Sequence, residues 1–389
     1  MRHFSQMSAV ERDRLFHRLP GEFTRSSPIG PLAVALGATL YLPATRQHLA
    51  ADIAKQTTRG VTSMVVCLED AVADDVVPKA EANAVAQLRT YAGSADTAGP
   101  LLFLRVRRPE QIPDLVDRLG DAARVLSGFV LPKFTAATHA GYLDAVTDTA
   151  QSRGLRLLVM PVVESSAIIH RETRTDALLG IARLLGKYRE YVLAVRLGAT
   201  DLCAAYGLRR PRDLTVYDLH LIADVIADVV NVLGRADDTG FVVSGPVWEY
   251  FSGAERMFKP QLRQTPFAEH DRTALRLRSE LIAQDLDGLI REVLLDKANG
   301  LSGKTVIHPN HVAAVHAMSV VTHEEYTDAE LILGSVTAGG VLPSTYVNKM
   351  NEVKPHRAWA RGVVRRAEVF GVAREQIGFV DVLDASTPR

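Results

Sequence analysis

The sequence predicts an α/β protein that folds as a (β/α)8 TIM barrel, with an N-terminal arm and a C-terminal helical appendage. Eight short apolar segments of strand length alternate with longer segments whose apolar residues recur at helical spacing. The strand segments are nearly continuous in Val, Leu, Ile and Met, as expected for a parallel sheet buried on both faces. Charged residues follow the carboxyl ends of these segments, which is where barrel proteins place their chemistry.

The eight predicted strands span residues 38–45, 63–70, 100–107, 127–134, 155–164, 191–201, 240–247 and 303–309. An open, doubly wound sheet explains the same alternation of strands and helices. The charged residues favour the barrel, because the strand ends of a closed sheet converge on one mouth. In an open sheet the same side chains would lie along a line and could not all reach one ligand.

The segments between the strands have the length and the spacing of helices. Residues 47–60, 79–93 and 218–234 each end in Gly, as helix C-termini often do. The barrel is predicted over residues 38–320, with an insertion at 246–271 that resembles a loop or lid. Three further helices are predicted around 272–295, 324–337 and 358–372.

Two segments flank the predicted barrel. Residues 1–37 form an N-terminal arm, with a short amphipathic helix followed by a stretch rich in Gly and Pro. Residues 321–389 form a C-terminal helical segment, which we interpret as an appendage rather than a second domain with its own core.

Composition limits the classes of function. The 389 residues contain 45 Lys and Arg and 45 Asp and Glu, so the net charge of +0 argues against nucleic-acid binding through bulk basicity. The two cysteines, Cys67 and Cys203, cannot form a disulfide framework or a cysteine-rich metal site. The sequence shows no signal peptide and no apolar run long enough to span a membrane. We therefore expect a soluble, reduced, cytoplasmic protein.

Two carboxylates end neighbouring predicted strands and are candidate metal ligands. Glu164 ends strand five in PVVES, and Asp201 ends strand six in LGATDL. Mg²⁺ prefers one or two protein carboxylates, with water and substrate oxygens completing its octahedron. The alternative is that each carboxylate caps the helix that follows it. Because both residues occur together at adjacent strand ends, the pattern favours metal binding.

Other charged residues end strands two, three and four. Glu69 and Asp70 follow a buried run in CLEDAV, where they could hold metal-bound water or orient Arg105, although Asp70 could equally cap a helix. Arg105 and Arg107 share one face of strand three, and we expect Arg105 to point into the mouth and bind a carboxylate or enolate oxygen. Lys133 in LPKF could add positive charge there.

Other residues give weaker signals. His308 in VIHPNHV ends strand eight, and a lone His at such a position is more often structural than catalytic. Cys203 lies two residues after Asp201 but has no companion motif that would make it a nucleophile. LGATDL and TAGG are neither P-loops nor dinucleotide-binding motifs.

Seven motifs occur in order and give the sequence a resemblance to a known family. LYLPAT, CLEDAV, RVRR, LPKF, MPVVES, LGATDL and GKTVIHPNHV together resemble the citrate lyase β-subunit / HpcH–HpaI aldolase family of the phosphoenolpyruvate/pyruvate barrel superfamily. The resemblance covers roughly residues 38–320. It implies a barrel that binds Mg²⁺ and cleaves or forms a C–C bond next to a carbonyl, through a metal-stabilised enolate. The implied substrate is a small keto or hydroxy acid or its acyl-CoA thioester.

The resemblance also implies roles for individual residues. Glu164 and Asp201 would be the metal ligands, and Arg105 would contact the substrate and the enolate. Glu69 and Asp70 would form an acidic catalytic pair beside the metal. The substrate-binding residues would include Arg105, Gly198, Ala199, Lys133 and Pro161. A homo-oligomer, a trimer or a hexamer, is implied as well, with no nucleic-acid or membrane partner.

Several features depart from the family pattern and leave alternatives open. Strand seven reads VVSGPVWEYF where relatives often carry an acidic residue, and the insertion and residues 339–357 are unlike the usual C-terminus. The general base is not named by the sequence, and Glu352 and His356 are candidates. One alternative is a related metal-dependent enzyme for a phosphorylated or nucleotide-like substrate, whose pocket is formed by the 246–271 insertion with Lys349, Lys354 and Arg357. Another is a non-catalytic barrel subunit of a complex.

Overall fold

Eight parallel strands form a closed barrel in the computed structural model, which describes residues 1–94, 99–251, 286–335 and 339–387. The first strand pairs with the second and with the eighth, and this last pairing closes the sheet. The predicted barrel is therefore confirmed, and the open sheet is excluded. The strands are Ala38–Pro43, Ser63–Cys67, Leu101–Arg105, Leu126–Leu131, Leu158–Val163, Val195–Leu197, Val243–Trp248 and Lys304–Val306.

Each barrel strand ends one to four residues before the C-terminal end of the run predicted from sequence, except the seventh. Strand seven extends to Trp248, one residue beyond its predicted end, so residues 246–248 belong to the barrel rather than to the predicted insertion. The part of that insertion from residue 252 onward lies outside the described residues, as does the first part of the helix predicted over 272–295. The described part of that helix is Leu286–Ala298.

Helices surround the barrel and connect its strands. Helix Gln111–Leu119 shows why: Ile112, Leu115, Val116 and Leu119 recur at helical spacing and are buried. The described helices between the first and last strands are Leu49–Thr58, Val77–Ser94, Gln111–Leu119, Ala140–Arg153, Ser166–Ile169, Arg171–Lys187, Ala199–Ala204, His220–Leu233 and Leu286–Ala298. Short 3₁₀ helices occupy Asp74–Val76, Gly120–Val125 and Val216–Asp218.

The N-terminal residues are packed against the barrel. Helix Ala9–Leu15 begins at a capping box formed by Ser8 and Glu11, and helix Ile29–Ala35 includes the end of the stretch rich in Gly and Pro. Between them a short strand, Phe16–Arg18, pairs antiparallel with Val372–Ala373 near the other end of the chain. The side chains of Phe4, Leu15 and Leu32 lie in the main hydrophobic core.

The C-terminal segment contains more than the predicted helices. Helix Asn310–Ser319 completes the barrel, and helices His323–Gly334, Val353–Phe370 and Phe379–Ser386 follow it. A β-hairpin formed by Val341–Pro343 and Met350–Glu352, which was not predicted, precedes the second of these three helices. The segment contains a small hydrophobic cluster, made by Val321, Tyr326, Ala329, Ile332, Ala360, Val363, Ala367 and Val372, and its status as an appendage rather than a second domain stays a prediction.

A buried ion network joins strand eight to the helix before it. Nζ of Lys304 lies 3.0 Å from Oε1 of Glu292 and 2.6 Å from Oδ2 of Asp296, and all three side chains are buried. The hydroxyl of Tyr217 donates to Asp296 at 2.8 Å, and Arg210 donates to Glu292. Because each charge has an opposite partner, the network fixes the helix Leu286–Ala298 against the barrel wall.

Two predictions from composition can be compared with the structure. Cys67 and Cys203 are buried and free, so they form no disulfide. No helix in the described part of the chain combines the length and the apolar surface needed to cross a bilayer.

Candidate active site

A cavity of about 440 Å³ opens at the carboxyl ends of the barrel strands. Residues from strand ends one, two, three and five to eight contribute to its wall, so the convergence expected of a closed barrel is present. The lining residues are Tyr41, Asp70, Arg105, Val162, Glu164, Arg196, Leu197, Gly198, Thr200, Asp201, Ala204, Val247, Glu249, Thr305 and Ile307.

Arg105 gathers three carboxylates at one side of this cavity. Its Nη2 lies 2.8 Å from Oε2 of Glu69, 3.1 Å from Oδ2 of Asp70 and 3.0 Å from Oε1 of Glu164. Burial alone would lower the pKa of Arg105, but the charge of Glu164 and of other neighbours outweighs burial and raises this pKa. The guanidinium is therefore a fixed positive charge in the wall of the cavity.

Lys133 closes the same group of carboxylates from strand four. Its Nζ lies 2.7 Å from Oε1 of Glu69, 3.2 Å from Oδ1 of Asp70 and 3.7 Å from Oδ1 of Asp201. Its backbone N–H donates to Oε1 of Glu164 at 2.9 Å. The backbone of Lys133 has a φ of 51°, which is uncommon for a residue with a side chain. In this conformation both its backbone N–H and its Nζ face the group of carboxylates. Burial acts to lower the pKa of Lys133, but hydrogen bonds to Glu69 and Asp70 and the charge of Glu69 outweigh burial and raise this pKa, which favours the protonated ammonium group.

Glu164 and Asp201 reach the cavity from adjacent strand ends. Glu164 follows strand five directly, and Asp201 lies in the first turn of helix Ala199–Ala204, which begins after Gly198. A Cβ atom on residue 198 would lie 1.8 Å from Oε2 of Glu164, so only glycine leaves room for this carboxylate. The next helix, Ser166–Ile169, has Ser165 as its N-cap residue, so Glu164 is not a helix cap.

Burial and charge separate the pKa values of these carboxylates. Burial raises the pKa of Glu164 to about 7, with Asp201 and Glu69 adding to the effect and Arg105 opposing it. Burial also acts to raise the pKa of Asp70, but hydrogen bonding with Glu69 and the charges of Arg105 and Lys133 hold it below its ordinary value. A further positive charge beside Glu164 would therefore favour its ionised form.

The donor set fits a divalent cation. The four carboxylates described above meet only two cationic side chains, so two negative charges are in excess when all four are ionised. Glu164 and Asp201 would supply hard oxygen ligands in the wall of the cavity, and Gly198 adds no Cβ atom beside Oε2 of Glu164. No group of three carboxylate, imidazole or thiol side chains in metal-binding geometry occurs among the described residues, and Mg²⁺ needs no more than two.

The sequence matches the model of one protein family. The family is described as C–C bond lyase of the TIM-barrel fold, and the match covers residues 30–372.

The chain belongs to this family of carbon–carbon bond lyases. No curated protein matches the sequence.

Solved structures of similar fold include a citrate lyase, the protein CitE and a malate synthase. A citrate lyase from Burkholderia xenovorans is 15% identical over 90% of this chain and 96% of its own, with a TM-score of 0.59. CitE from Mycobacterium tuberculosis, in complex with magnesium, acetoacetate and coenzyme A, is 19% identical over 86% of this chain and 99% of its own, with a TM-score of 0.52. Malate synthase from Haloferax volcanii, in a magnesium and glyoxylate complex, is 14% identical over 72% and 73%, with a TM-score of 0.50.

Two of the predicted substrate-binding residues of this lyase, and also Arg107, do not line the main cavity. Ala199 lines an adjoining cavity of about 350 Å³ rather than the main one. Pro161 is buried in strand five and does not line the main cavity, because side chains alternate along a strand and Val162 and Glu164 take the inward positions. Arg107 turns to the rim, where it pairs with Asp74 at 2.5 Å and donates to backbone carbonyls.

The weaker candidates for the active site of this lyase make contacts with neighbouring side chains and backbone groups. The ring of His308 stacks on Phe251, with centroids 4.4 Å apart, and its Nδ1 accepts a hydrogen bond from the N–H of Asn310. Glu352 and His356 contact each other in the C-terminal segment and do not line the cavity of their own chain. Lys349, expected in the pocket of a phosphate-binding alternative, instead pairs with Glu324 and Asp328.

The sequence analysis overlooked two charged residues of the cavity. Glu249 directly follows strand seven, and Thr200 donates to its carboxylate at 3.0 Å. An acidic residue directly after a strand is the same signal that indicated Glu164. It was missed at Glu249 because strand seven was predicted to end at residue 247. Arg196 lies inside strand six, two residues before Gly198, and is 1% exposed. A charged residue within an apolar run was its only signal.

Proposed function

We propose that this lyase is a Mg²⁺-dependent enzyme that cleaves or forms a C–C bond next to a carbonyl in a small keto or hydroxy acid or its acyl-CoA thioester. The observation that carries the proposal is the meeting of Glu164, Asp201 and Arg105 in the wall of one cavity. The complexes of CitE with magnesium, acetoacetate and coenzyme A, and of malate synthase with magnesium and glyoxylate, support the choice of metal and substrate class.

Glu164 and Asp201 would hold the metal ion. A bound Mg²⁺ would act as a Lewis acid on the oxygen that becomes negatively charged during the reaction. Each carboxylate of Glu69 and Asp70 has one oxygen paired with Arg105 and the other with Lys133. They would therefore position those two cations rather than bind the metal. Lys133 in turn orients Glu164 through its backbone N–H.

Arg105 would stabilise the charge that develops on the substrate. When the C–C bond breaks, its electron pair remains on the carbon next to the carbonyl and delocalises onto oxygen as an enolate. A guanidinium that is already fixed by three carboxylates need not reorganise to meet this charge, which is the condition for electrostatic stabilisation of a transition state. Protonation of the enolate carbon then completes the cleavage.

Glu249 is our candidate for the general base. Cleavage needs a group that takes the proton of the substrate hydroxyl while the O–H electron pair forms the new carbonyl. Asp70, Glu164 and Asp201 lie in the network of Arg105 and Lys133. Glu249 lines the same cavity outside that network, and among the described residues it forms an ion pair with Arg210 at 3.7 Å.

Metal binding by two variants tests the proposal directly. We expect Glu164→Gln and Asp201→Asn to reduce Mg²⁺ affinity, measured by calorimetry, by roughly 10- to 100-fold. They should abolish turnover in a panel of oxaloacetate, 2-keto-4-hydroxy acids and their acyl-CoA relatives. Glu172→Gln, at an exposed position on a barrel helix, is the matched control. Unchanged Mg²⁺ affinity in Glu164→Gln would remove this residue from the site, and metal binding without turnover of any substrate would favour the non-catalytic subunit.

A further inference from the structure

A second arginine of the cavity, Arg196, lies deep inside the barrel. Its side chain is 1% exposed, yet it forms part of the cavity wall. Nη2 donates to Oγ1 of Thr305 at 2.5 Å, and Nη1 donates to Oγ1 of Thr39 at 3.3 Å. The guanidinium carbon lies 5.6 Å from the centre of the Tyr41 ring. These neutral groups from strands one and eight hold the guanidinium in place without balancing its charge.

The contrast with Arg105 is one of charge. Arg105 is surrounded by three carboxylates, whereas no carboxylate of the described residues lies within 4.0 Å of Arg196. Nε is buried and makes no hydrogen bond to those residues in either arginine, so the contrast lies in the neighbours of the Nη atoms. A guanidinium cannot lose its proton in a protein, and a buried cation without a partner is strongly unfavourable. An arginine kept in this state inside a substrate cavity is suited to bind an oxyanion of the substrate.

The position of Arg196 relative to the candidate metal site limits the size of that substrate. Arg196 pairs with Val162 across strands five and six, and Glu164 and Gly198 lie two residues farther along those strands. Since a strand rises about 3.3 Å per residue, the backbone of Arg196 lies roughly 7 Å deeper in the barrel than the backbone of Gly198. One small molecule with a few carbon atoms can span this separation.

We infer that Arg196 is a specificity-determining residue that binds a second oxyanion of the substrate. The substrate would then be a short acid with two oxyanion groups. The first lies next to the keto or hydroxy oxygen at Glu164 and Asp201, and the second, a carboxylate or a phosphate-type group, lies against Arg196 and its two threonines. This inference rests on the proposed function, because it takes the cavity of the lyase as the substrate site.

Three keto acids with the same head group test the inference. Pyruvate has one oxyanion, oxaloacetate adds a carboxylate on the methyl carbon, and phosphonopyruvate adds a phosphonate there. We expect the wild-type protein with Mg²⁺ to bind one or both of the larger acids at least tenfold more tightly than pyruvate, measured by calorimetry. The preferred one identifies the second oxyanion as a carboxylate or a phosphate-type group. Equal affinity for all three acids would overturn the inference.

Variants at position 196 separate ligand binding from support of the barrel. Arg196→Met should lose about 10- to 100-fold in affinity for the larger acid and change pyruvate affinity by less than about twofold. Arg196→Lys, which keeps the charge, should retain part of the preference and serves in place of Arg196→Met if that variant does not fold. Arg153→Met, at an exposed surface ion pair, is the control. An equal loss for all three acids in Arg196→Met, or no loss in either variant, would make Arg196 a structural residue only.

Omitting the metal separates this inference from the proposed function. The preference for two oxyanions should persist in EDTA, because Arg196 acts without the metal, even though all affinities fall. If Mg²⁺ has no effect on the affinity for any of the acids while the preference remains, the proposed metal site is wrong and the inference about Arg196 stands. If the preference disappears with the metal, Arg196 does not bind the second oxyanion.

Discussion

Gly198 packs so closely against Glu164 that a Cβ atom on residue 198 would lie 1.8 Å from Oε2 and 2.6 Å from Cβ of that glutamate. The two residues lie at the ends of adjacent strands, and Val163, just before Glu164, pairs with Leu197, just before Gly198. The glycine therefore determines where the buried carboxylate can lie, and any side chain at residue 198 must displace it.

Replacement of this glycine should damage the metal site without unfolding the protein. We expect Gly198→Ala to reduce Mg²⁺ affinity by roughly 10- to 100-fold, as do other changes that displace metal ligands indirectly. Calorimetry measures the affinity, and a thermal melt in EDTA checks the fold. Gly141→Ala is the control, because an added Cβ at that helical position meets nothing within 4 Å. Wild-type Mg²⁺ affinity in Gly198→Ala would show that Oε2 of Glu164 does not bind the metal.

The pKa of Glu164 should make metal binding depend on pH. Burial raises this pKa to about 7, and only the ionised carboxylate binds a metal. The Mg²⁺ affinity of the wild type should therefore rise between about pH 5 and 8 and level off above that range. Calorimetry across this range measures the effect. The same affinity at pH 5.5 and pH 8 would mean that the carboxylate is ionised throughout.

The same pKa predicts how stability changes with pH in the absence of metal. The folded protein holds the proton of Glu164 up to about pH 7, whereas the ordinary value is 4.5. The stabilisation from this proton is complete below pH 4.5 and is lost as the pH rises through 7. Relative to Glu164→Gln, the wild type should lose about 3 kcal/mol of unfolding free energy across this window. Urea unfolding in EDTA measures it, and the comparison with Gln cancels the contribution of Asp296, whose pKa burial also raises. Parallel curves for the two proteins would contradict the prediction.

Glu249→Gln should slow the reaction without weakening the metal site. If Glu249 is the general base, kcat should fall by about 10²- to 10⁴-fold, and the acid limb of the pH–rate profile should disappear. Mg²⁺ affinity should stay within about twofold of the wild type, because the side chain lies outside the network of Arg105 and Lys133. Asp74→Asn, at the rim of the barrel, is the control. A kcat near that of the wild type would assign the base to another group.

The sequence predicts the barrel well because each buried strand is a run of apolar residues with charges at its end. Glu69, Arg105, Lys133, Glu164 and Asp201 all follow from this rule, and the structure brings them together around one cavity. The rule fails where strand ends are misplaced by a few residues. Strand seven extends to Trp248, so Glu249, which the sequence places in the insertion, directly follows the strand and lines the cavity.

The direction of a side chain is harder to predict than the end of a strand. Pro161 and Glu164 belong to one motif, but side chains alternate along the strand, so Pro161 is directed away from the cavity that Glu164 lines. Arg196 and Lys304 lie in runs that are predicted as strands. The role of a charged residue inside such a run cannot be predicted until the residues that contact it are known. Arg196 lies against Thr39 and Thr305, which are more than 100 residues away in sequence, and spacing alone cannot reveal such a contact.

Lys304 should contribute strongly to stability, although it takes no part in the chemistry. It is completely buried between Glu292 and Asp296, so Lys304→Met would leave Asp296 without its cation and Glu292 with Arg210 alone. We expect this change to reduce the free energy of unfolding by about 3–5 kcal/mol. The exposed pair of Arg153 and Asp117 is the control, where Arg153→Met should change it by less than about 1 kcal/mol. Urea unfolding of both variants makes the comparison. A similar small change in both would show that the carboxylates accept protons when the lysine is removed, because neutral groups need no counter-charge.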